Sequence, residues 1–591
     1  MCFAAYNIPD DPVGDIIAIQ GKRLCCRERF LILKMKKIAA ILLSILLIAS
    51  LAACGGKGTD PADPQSTENN GSDGSSADAA TDSSVSAEEV TGEFLMLTAD
   101  GHYSQEGSKY VITSAGTYTM RGALDGQIVV SAGESEEVVL ELSGVTINNS
   151  SDSPIKILSA DKVEISAKKG TGNVINDKRP VKSAEDDSMG EAAIYAKADL
   201  KLKGKGTLVV NASYNNGVHT TKDLTVKNLS LKVTAYNNAL KGNDSITIKS
   251  GTVVAVSTNG DGLKTTSSDL SKSGNIRGDV VISGGSLAVY AAGDGIQTAH
   301  DFIMKAEDGA SPNITIFTGS YSGYTAADSS ASSFKGVKAD DAMDISAGVI
   351  SISSFDDGLN ANYGTSLECG GVGTGNISIS GGSVTMTVYS PEGKTGGGKT
   401  GPGGRGHHGH QQAAPGADGI HADGELNISG GTLELDSAYE GLEANVINIS
   451  GGTTRITAVD DGVNACKGQA SPLVNVTGGF LDVSVAPNGD VDGIDSNGSY
   501  TQSGGVVITR GPNSTMAAAI DAEGGVRVSG GTLIALGAGS IGIEGNVKQL
   551  SLKLHSEGAH KLKVNGVSYD LTNAYAYGQT LAVSDTEVTG E

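Results

Sequence analysis

The residues best suited to chemistry stand at fixed places in a recurring pattern. Two residues after the small residue that opens each copy, the chain carries Lys264, Gln297, Lys338, Asn360, His421, Glu443, Asn464, Asp495, Asp521 and Glu544. Two further on come Asp340, Asn362, Asp423, Asn445, Cys466, Asn497, Glu523 and Asn546. The residue before the opening one is often acidic: Asp261, Asp294, Asp357, Asp418, Glu440, Asp461 and Asp492. Carboxylate and amide oxygens are hard donors, the kind calcium takes at about 2.3–2.6 Å. Carboxylates repeated at short intervals repel one another, and a dication between them relieves that repulsion. The expected metal is therefore Ca²⁺, held among Glu440, Glu443, Asp460, Asp461, Asn464, Asp490, Asp492 and Asp495. The competing reading is a solvated acidic face whose asparagines merely satisfy their own stack.

The elements that position these residues follow from a repeat. The opening pairs are Gly217-Val, Ala239-Leu, Gly262-Leu, Gly295-Ile, Gly336-Val, Gly358-Leu, Gly419-Ile, Gly441-Leu, Gly462-Val, Gly493-Ile, Ala519-Ile and Gly542-Ile. Their steps are about 22 residues or that unit enlarged by an inserted loop. The unit Gly419 to Glu440 holds three alternating runs, Ile420/Ala422, Leu426/Ile428 and Leu433/Leu435, separated by glycine turns. Each run reads as a short strand with one apolar face. Strands this short bury a core only by stacking on the next copy, at about 4.8 Å per layer. The expected fold is all-β, a right-handed parallel β-helix with rungs of about 22 residues. A leucine-rich repeat would need a Leu-x-x-Leu-x-Leu frame that is missing, and a propeller blade needs about 40 residues. Alternation then sends the second and fourth residues of each copy outward, in vertical files. The β-helix is expected over 92–546, with a Gly/His-rich inserted loop at 392–416 and a C-terminal cap at 547–591.

Composition agrees. The 591 residues include 83 Gly and no Trp, which suits thin β-layers, and a net charge of −24 excludes a nucleic-acid binder. Residues 1–34 show no coherent pattern and are expected to precede the true start at Met35. Lys36 and Lys37 are followed by an apolar run from Ile38 to Ala53, short of the roughly 20 residues of a membrane span. It ends in Leu51-Ala52-Ala53-Cys54, which resembles the lipobox of bacterial lipoproteins. That resemblance implies a signal peptide over 35–53, lipidation of Cys54, and anchorage on the extracellular face of the bacterial cell membrane. Residues 54–91 are too polar to fold and form an acidic tether. Only Cys369 and Cys466 follow, so no disulfide framework is expected.

The D/E-G-Φ-x-A-N/D anchors, the S-G-G-T/S turns and the Gly-rich insertion from Gly393 to Gly409 give the chain its resemblance. It is similar, over roughly 90–590, to a family of clostridial cell-surface carbohydrate-binding proteins with a parallel β-helix. The resemblance implies a pectate-lyase-like scaffold, bound calcium, and affinity for plant polysaccharides such as polygalacturonate and cellulose, with catalysis no defining trait. Without Trp, sugar stacking falls to tyrosine. Tyr195, Tyr214 and Tyr236 have spacings compatible with one column, although a turn-packing aromatic in each rung fits as well. Lys264 and Lys338 are the cations expected to face sugar. A polyuronate would be repelled by so acidic a monomer unless Ca²⁺ bridged the two. Two rivals stand beside this reading. One is a polysaccharide lyase using Lys264, Lys338 or Lys467 as base; the other is a structural stalk or adhesin. His407, His408 and His410 read either as a transition-metal loop or as a solvated insertion.

Overall fold

The computed structural model describes residues 85–584 apart from 184–189, 320–332, 390–415, 438, 488–490, 513–516, 538–540, 553–555, 565, 574 and 578. The expected signal peptide, Cys54, most of the tether, the loop carrying His407, His408 and His410, and Asp490 all lie outside the described residues. Strands follow one another with no helix among the described residues.

Alternating residues make the strands, and the inward ones decide the stacking. In Ile420–Ile428, the side chains of Ile420, Ala422, Leu426 and Ile428 are buried, and those between them are less so. Leu359 pairs with Ile420, Ile420 with Leu442, Leu442 with Val463, Val463 with Ile494, and Ile494 with Ile520, all in parallel. From Gly217-Val to Ala519-Ile each opening pair therefore lies on the next one in sequence, whatever the length of the loop between them; Gly542-Ile departs, because Ile543 and Glu544 pair with Val526 and Arg527 of another strand stack, which takes Glu544 out of the expected file. This is the parallel stacking of a β-solenoid, with one continuous apolar core running from Met96 to Val583.

Two glycine positions are fixed by geometry. At the opening position of a rung, a Cβ on Gly441 would sit 2.3 Å from Ile456 Cγ2 and 2.4 Å from the carbonyl oxygen of Gly462. Only a small residue lets adjacent rungs close at that corner. In the Ser-Gly-Gly turns the second glycine adopts a left-handed backbone, with φ of 81° at Gly431 and 77° at Gly452.

Both ends break the parallel pattern. Leu95–Leu97 runs antiparallel to Gly116–Asp125. At the other end Gln579–Ser584 pairs antiparallel with both Thr532–Gly537 and Lys548–Leu552. The antiparallel strands cover the outer edges of Gly116–Asp125 and Thr532–Gly537. The hairpin of Gly558–Val564 and Val567–Asn573 adds a small core of its own with Ile534 and Leu536. Near the N-terminal end the fold buries an ion pair. Arg179 donates to Asp177 at 2.8 Å through Nε and 2.5 Å through Nη2, and to the Gly190 carbonyl at 2.8 Å through Nη1. Its guanidinium lies 3.8 Å from the centre of the Tyr214 ring.

Candidate functional site

The outward residue of the first strand in each rung forms one continuous file. Tyr195 pairs with His219, and the series continues through Lys241, Lys264, Gln297, Lys338 and Asn360. It then runs through His421, Glu443, Asn464, Asp495 and Asp521. The file is cationic toward the N-terminal rungs and acidic toward the C-terminal ones. Glu443, Asn464 and Asp495 occupy consecutive rungs, the juxtaposition that cation binding between rungs requires.

A second file runs beside the first, made by the residue before each opening position. Its acidic residues have a structural reason that the sequence did not disclose. The side-chain oxygen of one rung accepts the backbone N–H of the next. Asp261 N donates to Asn238 Oδ1 at 3.1 Å, Asp294 N to Asp261 Oδ1 at 2.9 Å, Glu440 N to Asp418 Oδ1 at 3.1 Å, and Asp492 N to Asp461 Oδ1 at 2.6 Å. Asp and Asn serve equally in this ladder, since both offer an acceptor at the same reach. Glu440 departs from it. Its longer carboxylate crosses to the first file, where Oε1 accepts from Asn464 Nδ2 at 2.9 Å. Its Oε2 and Asn464 Oδ1 are buried without a hydrogen-bond partner.

Cations from the chain itself neutralise the upper carboxylates. Lys264 Nζ lies 2.8 Å from Asp261 Oδ2 and 2.6 Å from Gln297 Oε1. Lys335 Nζ lies 2.9 Å from Asp356 Oδ1 and 2.6 Å from Asp357 Oδ2. His421 is the last such cation before the acidic stretch. Its Nδ1 is 3.2 Å from Asp418 Oδ2 and 2.8 Å from Glu443 Oε2, and its Nε2 is 3.1 Å from Asp423 Oδ1. Burial alone would discharge the ring, but hydrogen bonds to Asp418, Asp423 and Glu443 outweigh burial and hold it as imidazolium. Beyond it the balance changes. Burial first, then the charges of Glu443, Asp418 and Asp461, raise the Glu440 carboxyl well above the usual range. Asp461 is pushed up to about 8, by burial first; the charges of Asp460, Asp495 and Asp492 add to this, against the bond from Asp492 N. Crowded, desolvated oxygens with two lacking any partner are a donor set that a hard dication fits.

Several expected roles change. Glu443 does stand in the file, but its Oε2 is already engaged by His421. Lys264 is tied to Asp261 and Gln297. Lys338 lies between Gln297 and Asn360 in the same file. The three tyrosines form no column. Tyr195 stands beside His219, with ring centres 5.5 Å apart, while Tyr214 is buried under Arg179. Tyr214 and Tyr236 lie beyond the ends of Thr207–Ala212 and Leu229–Ala235, in the corner where Asn237 donates to Asn215 of the preceding rung, and away from the strand that carries Tyr195. The sequence reading also passed over Lys241, whose pKa is lowered by burial first and then by Lys264 and Lys182, against the charge of Glu191.

A second cluster, around His300, was not anticipated. His300 Nδ1 lies 2.6 Å from Asp279 Oδ1 and 3.8 Å from Asp301 Oδ2; Nε2 lies 3.3 Å from Asp341 Oδ2. Burial opposes charging His300, but the bonds to Asp279 and Asp341 prevail and raise its pKa to about 10. A raised histidine pKa gives stability that is complete below the unfolded value near 6.5 and disappears as pH rises through about 10. His300→Gln is therefore expected to be less stable than wild type at pH 6 by on the order of 3 kcal/mol. Denaturant melts at successive pH values should show the two proteins converging toward pH 10; a gap that stays constant would contradict the pairing.

The family model for carbohydrate-binding domain-containing proteins matches residues 106–393 and 370–462. The chain belongs to that family. The matched part of the chain carries the cationic stretch of the file together with His421, Glu440, Glu443 and Asp461; Asn464 and Asp495 follow it. A carbohydrate-binding domain-containing protein of Acetivibrio thermocellus is 41% identical over 126 residues, which are 21% of this chain and 44% of that relative. The chain thus spans under half the length of that relative. Among solved structures, a polysaccharide lyase-like protein from C. thermocellum, in a gadolinium derivative, is similar at 33% identity. The similarity covers 42% of this chain and 91% of that one, with a TM-score of 0.36.

Proposed function

We propose that the chain is a lipid-anchored surface protein that binds acidic polysaccharide of the polygalacturonate class through Ca²⁺. The observation that carries this reading is the pair of buried oxygens without partners, Glu440 Oε2 and Asn464 Oδ1, in the acidic part of the file. Those two residues would hold the ion, with Asp461 and Asp495 beside them. When bound, it supplies positive charge where the chain has none to spare, so that a uronate carboxylate can approach an acidic surface. The scaffold in this reading is a right-handed β-helix with rungs of about 22 residues, the hand that parallel crossovers adopt almost without exception. Export by the segment 35–53 and lipidation of Cys54 place it, as a monomer, outside the cell membrane.

Retention on immobilised polygalacturonate tests the reading. Retention in Ca²⁺ is expected to fall at least about tenfold when EGTA is added, the equivalent of about 1.4 kcal/mol. Retention that EGTA leaves unchanged would rule it out. Lys241 favours a second reading, an eliminative lyase, because a lysine of lowered pKa serves as a general base. Unsaturated-uronate absorbance rising on polygalacturonate, and lost in Lys241→Met, would establish it.

A further inference from the structure

We propose that the corner around His300 is a site for a transition-metal dication of the zinc class, separate from the calcium file. Its residues stand at the start of the second strand in successive rungs. Val280 of Asp279–Ile282 pairs with Phe302 of Phe302–Met304, and Phe302 with Met343 of Met343–Ile345, all in parallel. That register sets Asp279 against Asp301, and His300 against Asp341 of the next rung. The backbone agrees, since Asp341 N donates to the His300 carbonyl at 3.3 Å. Asp279, His300 and Asp301 each offer one donor atom, and those atoms lie within 4.8 Å of one another.

An imidazole nitrogen with two carboxylate oxygens is a donor set that zinc takes at about 2.0–2.2 Å, which places the ligand atoms roughly 3–3.5 Å apart. His300 Nδ1 lies 2.6 Å from Asp279 Oδ1 and 3.8 Å from Asp301 Oδ2, on either side of that spacing. The shorter contact is a hydrogen bond closed by a proton, and when the proton leaves, Asp279 can back away slightly. The longer one is out of hydrogen-bond reach, so that proton does not serve Asp301 Oδ2. Calcium draws on oxygen ligands, so the imidazole selects against it.

Behind the ring stands the support that a metal-bound histidine uses, a carboxylate that accepts its other N–H and fixes its orientation. His300 Nε2 lies 3.3 Å from Asp341 Oδ2. The other oxygen of Asp341 accepts from Thr374 N at 2.7 Å and from Thr374 Oγ1 at 2.8 Å. Asp301 is held in the same manner: its Oδ1 accepts from Ala342 N at 3.2 Å, which leaves Oδ2 for the ion. Three carboxylates thus face one imidazole. Arg277, two residues before Asp279, is committed to Asp244 at 3.1 Å and Asp269 at 2.7 Å. A dication neutralises more of this charge than the proton that His300 carries without metal. The melts of His300→Gln described above refer to that metal-free form. Asp279 and Asp301 are 31% and 32% exposed, so one side is open for entry. The corner uses none of the oxygens of the calcium file, and the two can fail separately.

The test is isothermal titration of the full chain with ZnCl₂, after stripping with EDTA and dialysis. His407, His408 and His410 are replaced by alanine throughout, because a histidine-rich loop binds zinc by composition alone. Zinc should bind. Asp341→Asn, which loosens the ring without removing a ligand, should weaken binding about tenfold, and His300→Gln and Asp301→Asn by at least about a hundredfold. Asp301→Asn keeps the acceptor for Ala342 N, so it tests the site even where His300→Gln lowers stability; melts in EDTA check that each variant is folded. Ca²⁺ in about hundredfold excess should leave the zinc in place. No binding of zinc, displacement by Ca²⁺, or binding that both His300→Gln and Asp301→Asn leave as in wild type would overturn the site.

Discussion

Ca²⁺ is expected to raise the melting temperature of the chelator-treated protein by several degrees, and Glu440→Gln is expected to abolish most of that rise. A ligand present at about one hundred times its dissociation constant stabilises by about 2.7 kcal/mol if it binds only the folded chain. Glu440 brings a buried carboxylate whose Oε2 has no partner, close to Glu443, Asp418 and Asp461. In the absence of a cation this is a penalty, because a buried charge without compensation costs several kcal/mol or is discharged by taking up a proton. Glutamine retains an oxygen that can accept from Asn464 Nδ2 but carries no charge. The variant should therefore equal or exceed wild type in chelator and fall below it in Ca²⁺. That crossing separates a cation ligand from a residue that merely packs, for which the variant would be the less stable in both conditions. Thermal melts of both proteins, with and without EGTA, read it directly.

Arg179→Ala should destabilise the fold by about 3–5 kcal/mol, the usual consequence of removing one member of a buried pair. Arg179 is 2% exposed and Asp177 is 1% exposed, so water cannot take over the lost interactions. The substitution leaves the Asp177 carboxylate and the Gly190 carbonyl without the guanidinium, and opens a void beneath the Tyr214 ring. Pairing Arg179→Met with Asp177→Asn should recover most of the loss, because it removes the unpaired charge and refills part of the space. Urea melts of the three variants measure this. A loss under about 1 kcal/mol in Arg179→Ala would show that the pair is not the fastening the geometry describes.

The stacking was legible because it depends on a two-residue period that the letters carry openly. An aliphatic residue after each opening position must point inward, which turns the next residue outward. Loops of any length between Leu359 and Ile420 leave that register unchanged. The vertical file through Glu443, Asn464 and Asp495 followed from the same logic. What the letters could not separate was the work done by identical residues. Asp418 and Asp461 are rungs of a backbone-satisfying ladder, whereas Glu440, one methylene longer, reaches across it. The tyrosines misled because spacing along the chain predicts a column only where it equals the local step between rungs, which at Tyr195 leads to His219. The His300 cluster draws its members from three rungs and leaves no contiguous motif to recognise.

Cation binding within the file can be observed most directly in a crystal grown with Ca²⁺. A metal peak is expected about 2.3–2.6 Å from both Glu440 Oε2 and Asn464 Oδ1. Ordered water on those two oxygens, with no metal peak at saturating Ca²⁺, would contradict it.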